Sequence, residues 1–226
     1  MTDDRRALPP TLSEAHEVGF DYRDGAGVDF EPYPEFLDAG ETAEWWRAWT
    51  GNAELDGSEF RVFGQDGTGG LAAFWLVRDG EPIERQPVVF LGSEGETGVV
   101  AQNLRAYLWL LADGFGPWEA TAYPDHEHEP RADARLTEIA QRWAPSHRRS
   151  ASEVIAGARY RWSRCLHPAR DVVARAWNHD ARPACYPGQG SGMRRGPHGG
   201  LRRGRRPPLR PSQPSSARSL LSCRHS

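Results

Sequence analysis

The sequence predicts an α+β domain built on a mostly antiparallel central sheet flanked by helices and followed by a disordered basic tail. Three observations carry this reading. Two apolar strand-like runs, LAAFWLV from Leu71 and PVVFL from Pro87, lie close together. The longest helical apolar pattern of the chain follows them, so most of the buried surface gathers between Val62 and Gly114. Finally, Met1 to Arg159 carries 29 acids against 14 arginines, a charge of −15, whereas Tyr160 to Ser226 carries 2 acids against 14 arginines, a charge of +12.

Taken in order, residues 1–15 mix charge with Pro9 and Pro10 and read as a disordered leader. Between Val18 and Phe36, aromatics alternate with acids and prolines, as in an irregular or extended segment lying on a core. Asp38 and Glu41 have the spacing of a capping box, and a short helix follows to Gly51. Its Trp45, Trp46 and Trp49 form one broad apolar face, for which core packing is favoured over a ligand-stacking platform.

Glu59–Phe63 has strand chemistry, and Leu71–Val77 is apolar on both faces, as in a central strand. The glycine-rich GQDGTGG between them turns the chain into an antiparallel pair, and Asp79-Gly80 marks the next turn. PVVFL opens on a proline, which is tolerated at the first position of a strand. Ser93 and Glu96 repeat the capping-box spacing, so a helix is expected from there to Gly114, with Val100, Leu104, Tyr107, Leu108 and Leu111 on one face. An aromatic loop, GFGPWEATAYP, leads to an acidic, histidine-containing loop and to helix candidates at Ala132–Trp143 and Ser152–Arg159, the second preceded by a Ser150/Glu153 pair. The domain is thus bounded at residues 16–159.

From residue 160 the composition is rich in arginine, proline, glycine and serine, too poor in apolar residues to offset chain entropy. Disorder is one reading, and translation of a GC-rich gene in a shifted frame is another. The N-terminus lacks a secretory pattern, and no apolar run approaches the roughly 18 residues of a membrane span, so a cytoplasmic, membrane-free protein is expected. Cys165, Cys185 and Cys223 all fall in the tail and offer the acidic part no disulfide framework.

Motifs that carry chemistry are sparse. The glycines between Gly64 and Gly70 do not make a phosphate loop, because a strand rather than a helix follows, no lysine is present and Asp66 would repel an anion. At the expected helix start near Ser93, Glu94 and Glu96 occupy the place an anion would take. His126 and His128 sit in an acidic loop flanked by prolines, where a metal site would be open and weak, so a solvated loop is favoured. No nucleophile with a partner base is legible. The expectation is therefore a non-enzymatic protein with no cofactor and no metal. A metal-dependent enzyme using the two histidines is a competing class, as is nucleic-acid binding through the arginine-rich tail, and neither is favoured.

The loop-to-strand stretch FGQDGTGGLAAFWLV and the stretch PVVFLGSEGETGVVAQNLRAYLWLLADG resemble the SUKH superfamily, which groups bacterial immunity proteins with fungal cell-wall synthesis regulators. The resemblance runs from about Val18 to Arg159. One departure is Gly69-Gly70, where many members carry Gly-Asp. The resemblance implies an α+β fold and a binding role, in many bacterial members the neutralisation of a toxin domain. Independently, a globule at −15 would be steered toward a basic protein partner. Asp66, Glu94 and Glu96 on the glycine loops, with Asp79 and Glu81, are the candidate partner-binding residues. A regulatory or scaffolding adaptor without a toxin partner is the alternative.

Overall fold

The structure is a computed structural model that describes residues 6–23, 27–123 and 130–160. The tail beyond residue 160 lies outside the described residues, as does the histidine loop with His126 and His128. Among the described residues no helix is long and apolar enough to cross a membrane.

A five-stranded antiparallel sheet in the order β1-β2-β3-β4-β5 forms the centre: β1 Glu31–Pro32, β2 Phe60–Gln65, β3 Leu71–Trp75, β4 Val88–Leu91 and β5 Thr97–Ala101. Strand order follows chain order, so each connection is local. Gln65 pairs with Leu71, Leu71 with Leu91 and Leu91 with Thr97, which puts the β2–β3 and β4–β5 turns at one end of the sheet. The β3–β4 connection, containing Asp79 and Glu81, lies at the other end.

Both faces of β2, β3 and β4 are buried. On one face Phe63, Ala72, Phe74, Val88, Phe90 and Val100 join the main core with helix α3, Leu104–Ala112. Seven of the nine residues of α3 are buried, including Trp109, whose indole N–H donates to the Ala144 carbonyl at 2.9 Å. A helix apolar on every side needs cover on every side. Helix α5, Ala134–Trp143, supplies part of it with Leu136, Ile139 and Ala140, and α1, Pro10–His16, adds Leu12 and Ala15. On the second face Phe60, Val62, Leu71, Ala73, Val89, Leu91 and Val99 pack under Trp46 of helix α2, Ala39–Thr50, and Ala158 of helix α6, residues 151–160. Helix α4, Pro117–Ala122, lies in the stretch expected to be an aromatic loop.

Several local expectations hold. Asp38 and Glu41 form a capping box on α2, and Gly51 ends that helix at φ +64°. Ser150 and Glu153 bond reciprocally at the start of α6. Two expectations are corrected. Residues 10–15 were expected in a disordered leader but belong to α1, because Leu12 and Ala15 fall on one buried helical face, Leu8 is buried just before it, and Pro10 occupies a first-turn position, where no backbone donor is needed. The helix expected from Ser93 begins only after Asn103, which caps it by accepting from the Ala106 N–H at 3.0 Å. Residues 92–96 instead form a hairpin turn, with Gly95 at φ +98°, and the β-branched Val99 pairs with Val89 in the sheet.

Gly64 shows how closely the sheet is covered. The pairing of β2 with β3 shifts between Val62 and Gly64, and a Cβ at Gly64 would enter the Phe30 ring and stand 2.9 Å from the Glu31 carbonyl oxygen. Gly64→Ala is therefore expected to destabilise the domain by about 1–3 kcal/mol, read as a lower urea midpoint.

His16 lies between Phe30 and Phe63, at ring-centroid distances of 5.6 and 5.9 Å. Its Nδ1 is 3.3 Å from the Tyr33 carbonyl, to which it donates as the neutral tautomer, and its Nε2 is buried without a partner. Burial lowers its pKa to about 4, with the Tyr33 bond opposing. The imidazole is then neutral in the fold while the unfolded chain takes up a proton below about 6.5. Its contribution is complete above that pH and falls away toward pH 4, by about 2 kcal/mol between pH 6.5 and 5. Urea midpoints across this range should show a fall in the wild type that is smaller in His16→Gln.

Candidate partner-binding surface

At the end of the sheet that holds the two hairpins, the turns are pinned to each other and to α2. Trp45 Nε1–H donates to the Gly69 carbonyl at 3.2 Å, and Trp49 Nε1–H donates to the Gly92 carbonyl at 2.8 Å. The two indoles stack, with centroids 5.2 Å apart. Between the tips, the Thr68 and Ser93 hydroxyls share a bond of 2.9 Å. The face expected to be plain core packing thus divides: Trp46 is 1% exposed, while Trp45 and Trp49 are half-buried and reach the loops.

Asp66 is a correction. It was expected at a partner-facing position, but it is 2% exposed. Its Oδ1 accepts from the Thr68 N–H at 2.9 Å, the Thr68 hydroxyl at 2.9 Å and the Gly70 N–H at 2.7 Å. The carboxylate closes its own loop from within, which leaves it out of reach of a partner. Around it, Asp29 Oδ1 accepts from the Gly67 N–H at 2.9 Å, and Gly69 takes φ +87°. Gly70 is needed for close approach, since a Cβ there would stand 2.7 Å from the Phe90 ring and 3.0 Å from Gly92 Cα. An acid at position 70 would not fit this arrangement.

Glu94 and Glu96 are exposed on the β4–β5 turn, as expected for partner-facing groups. Asp79 and Glu81 are also exposed but lie at the opposite end of the sheet, where Glu81 pairs with Arg85 at 2.8 Å. The structure therefore does not bring the five candidate residues together.

Other acids complete the hairpin end. Glu31 of β1 pairs in register with Gln65, and its Oε2 accepts from Gln65 Nε2 at 2.9 Å. Gln65 Oε1 in turn accepts from the Tyr33 hydroxyl at 2.8 Å. Burial first, and then the carboxylates of Glu31 and Glu41, push the Tyr33 phenol above its ordinary value. Glu31 and Thr68 escaped the sequence reading, Trp45 and Trp49 were read there as core packing, and Ser93 as a helix cap. The signal was available only for the tryptophans, whose indole N–H groups require partners when partly buried.

Glu119 of α4 is the other buried acid. It is 1% exposed and accepts from the Asp29 N–H at 2.6 Å and the Gly116 N–H at 3.0 Å. Burial raises its pKa against those bonds, and it adds to the upward shift that burial imposes on Tyr107. Its position suits a clamp between the segment before β1 and the start of α4. Among the described residues no three histidine, cysteine or acidic side chains gather as a metal site.

Comparison of the chain with protein-family models, with curated proteins and with solved structures finds no match.

The two kinds of acid separate experimentally. Asp66→Ala removes three bonds from a buried loop and should lower stability by about 1–3 kcal/mol, whereas Glu94→Gln should leave the thermal midpoint within about 1 °C. Parallel thermal melts monitored by circular dichroism make the comparison.

Proposed function

We propose that the domain is a non-enzymatic binding module that takes a basic protein partner on its hairpin end and acts by occlusion, with a toxin domain as the partner class that the SUKH resemblance supplies. The observation that carries this reading is the pinned pair of turns, one of which bears exposed acids. Glu94 and Glu96 stand on a loop whose backbone is held by Trp49, beside a second loop held by Trp45, with Glu31 and Glu41 nearby. Loops already ordered lose little conformational freedom on binding, so more of the contact energy is left as affinity.

The charges would act in two ways. The domain's excess of acids draws in a cationic partner and raises the association rate, an effect weakened by salt. At contact, arginine or lysine side chains of the partner would pair with Glu94 and Glu96 while the tryptophan edges supply apolar area. A module of this kind needs no catalytic group.

The test is binding to, and protection against, the basic product of a neighbouring toxin gene, with the full chain. The pair Glu94→Gln/Glu96→Gln should weaken binding about tenfold or more, that is about 1.4 kcal/mol, mainly through the association rate. The pair Asp79→Asn/Glu81→Gln removes the same charge from the far end and should change affinity less than about twofold. Equal effects from both pairs in calorimetric or surface-plasmon titrations would place the contact elsewhere. Binding without protection would favour the adaptor reading.

A further inference from the structure

The end of the sheet away from the hairpins has a different chemistry. An open groove of about 850 Å3 lies there between the β3–β4 connection, the start of α3, and the end of α5 with the turn that follows it. Three arginines line it, Arg78, Arg85 and Arg105. In a domain of net charge −15 over residues 1–159, such a gathering stands against the prevailing sign.

The groove is built before any ligand arrives. Buried Gln86 braces the connection: its Oε1 accepts from the Arg78 N–H at 3.0 Å, and its Nε2 donates to the Arg78 carbonyl at 2.8 Å and the Glu81 carbonyl at 3.2 Å. The Arg78 guanidinium is itself fixed, donating to the carbonyls of Arg85 and Gln102. Two acids, Glu81 and Glu84, also line the groove, and Glu81 and Arg85 are paired with each other, so that the exposed Arg105 is the arginine that meets a ligand's charge. Arg105 is exposed and makes no ion pair among the described residues. The apolar part is supplied by Leu104, Leu108 and Trp143. The Trp143 ring is 45% exposed, although its N–H is held by Glu14 at 2.7 Å. A large aromatic fixed in an exposed position beside guanidinium groups offers both halves of a recognition site.

We propose that this groove binds an organic anion, a carboxylate or phosphate carried on a flat apolar body. Guanidinium groups suit either oxyanion because their N–H donors match its oxygens in pairs. The volume falls in the range of small-molecule sites, roughly 300–1,000 Å3. The negative charge of the rest of the domain does not forbid this, since charges beyond about 8 Å are largely screened at physiological salt. The site is independent of the partner reading for the hairpin end.

The test uses the isotope-labelled full chain and nuclear magnetic resonance, following the Trp143 indole N–H and the Leu104 and Arg105 amides. The probes are phenyl phosphate, benzoate and, as a cationic control of the same size, benzamidine. Saturable shifts at these positions with a Kd on the order of 1 mM or tighter are expected for at least one anion, and none for benzamidine. Response to phenyl phosphate alone, to benzoate alone or to both identifies the oxyanion and supports the site in each case. Arg105→Glu should weaken the anion about tenfold or more with the thermal midpoint unchanged, and Arg105→Gln should give a smaller loss in the same direction. The proposal is overturned if neither anion produces saturable shifts, if benzamidine produces the same ones, or if neither Arg105 variant alters the affinity.

Discussion

Three central strands buried on both faces impose the constraint on which the rest of the domain depends. Val62, Ala73 and Val89 face one way and Phe63, Phe74, Phe90 and Val88 the other, all of them 5% exposed or less. A sheet of this kind cannot leave either face to water, because each large apolar side chain loses about 1.5–3 kcal/mol when uncovered. One side is met by α3, so apolar that α1 and α5 must cover it in turn. The other is met by α2, a short helix whose tryptophans supply the area that its length does not.

That choice of cover produces the surface proposed for binding. A leucine-rich α2 would have filled the same face without touching the turns. Tryptophan brings an N–H that needs an acceptor when half-buried, and the turn carbonyls of Gly69 and Gly92 supply it. Covering the sheet and ordering the two hairpins are therefore one event. Glu94 and Glu96 on the β4–β5 turn stay outside because nothing in the packing requires them, and a concentration of like charge works against compactness.

How far this was legible in the sequence follows from where each decision was made. The capping box of Asp38 and Glu41, the two-sided run at Leu71 and the helix candidate at Ala132–Trp143 are local, and they stand in the structure nearly as written. The strand β5 was misread because Ser93-x-x-Glu96 has the spacing of a capping box, and Val100 fits a helical face as well as a strand. What decides it is Val89, the cross-strand partner of Val99, together with the left-handed turn at Gly95. Asp66 was misread for a related reason. An acid among glycines looks exposed, and its burial depends on backbone donors at Thr68 and Gly70 that no residue identity displays. In the leader, two prolines and several charges hid the spacing of Leu8, Leu12 and Ala15.

The meander sends alternate connections to opposite ends of the sheet, and this separates two chemistries that composition merges into one net charge. Strands of five residues span about 17 Å, roughly twice the screening length at physiological ionic strength. Glu94 and Glu96 at one end and Arg78, Arg85 and Arg105 at the other are thus electrostatically almost independent for anything that docks, although residues 1–159 together still carry a net negative charge. A cationic protein and a small anion would not compete for this domain, and neither would need to neutralise the other's site. The charge of −15 describes the approach, whereas the order of the strands decides what each end can hold.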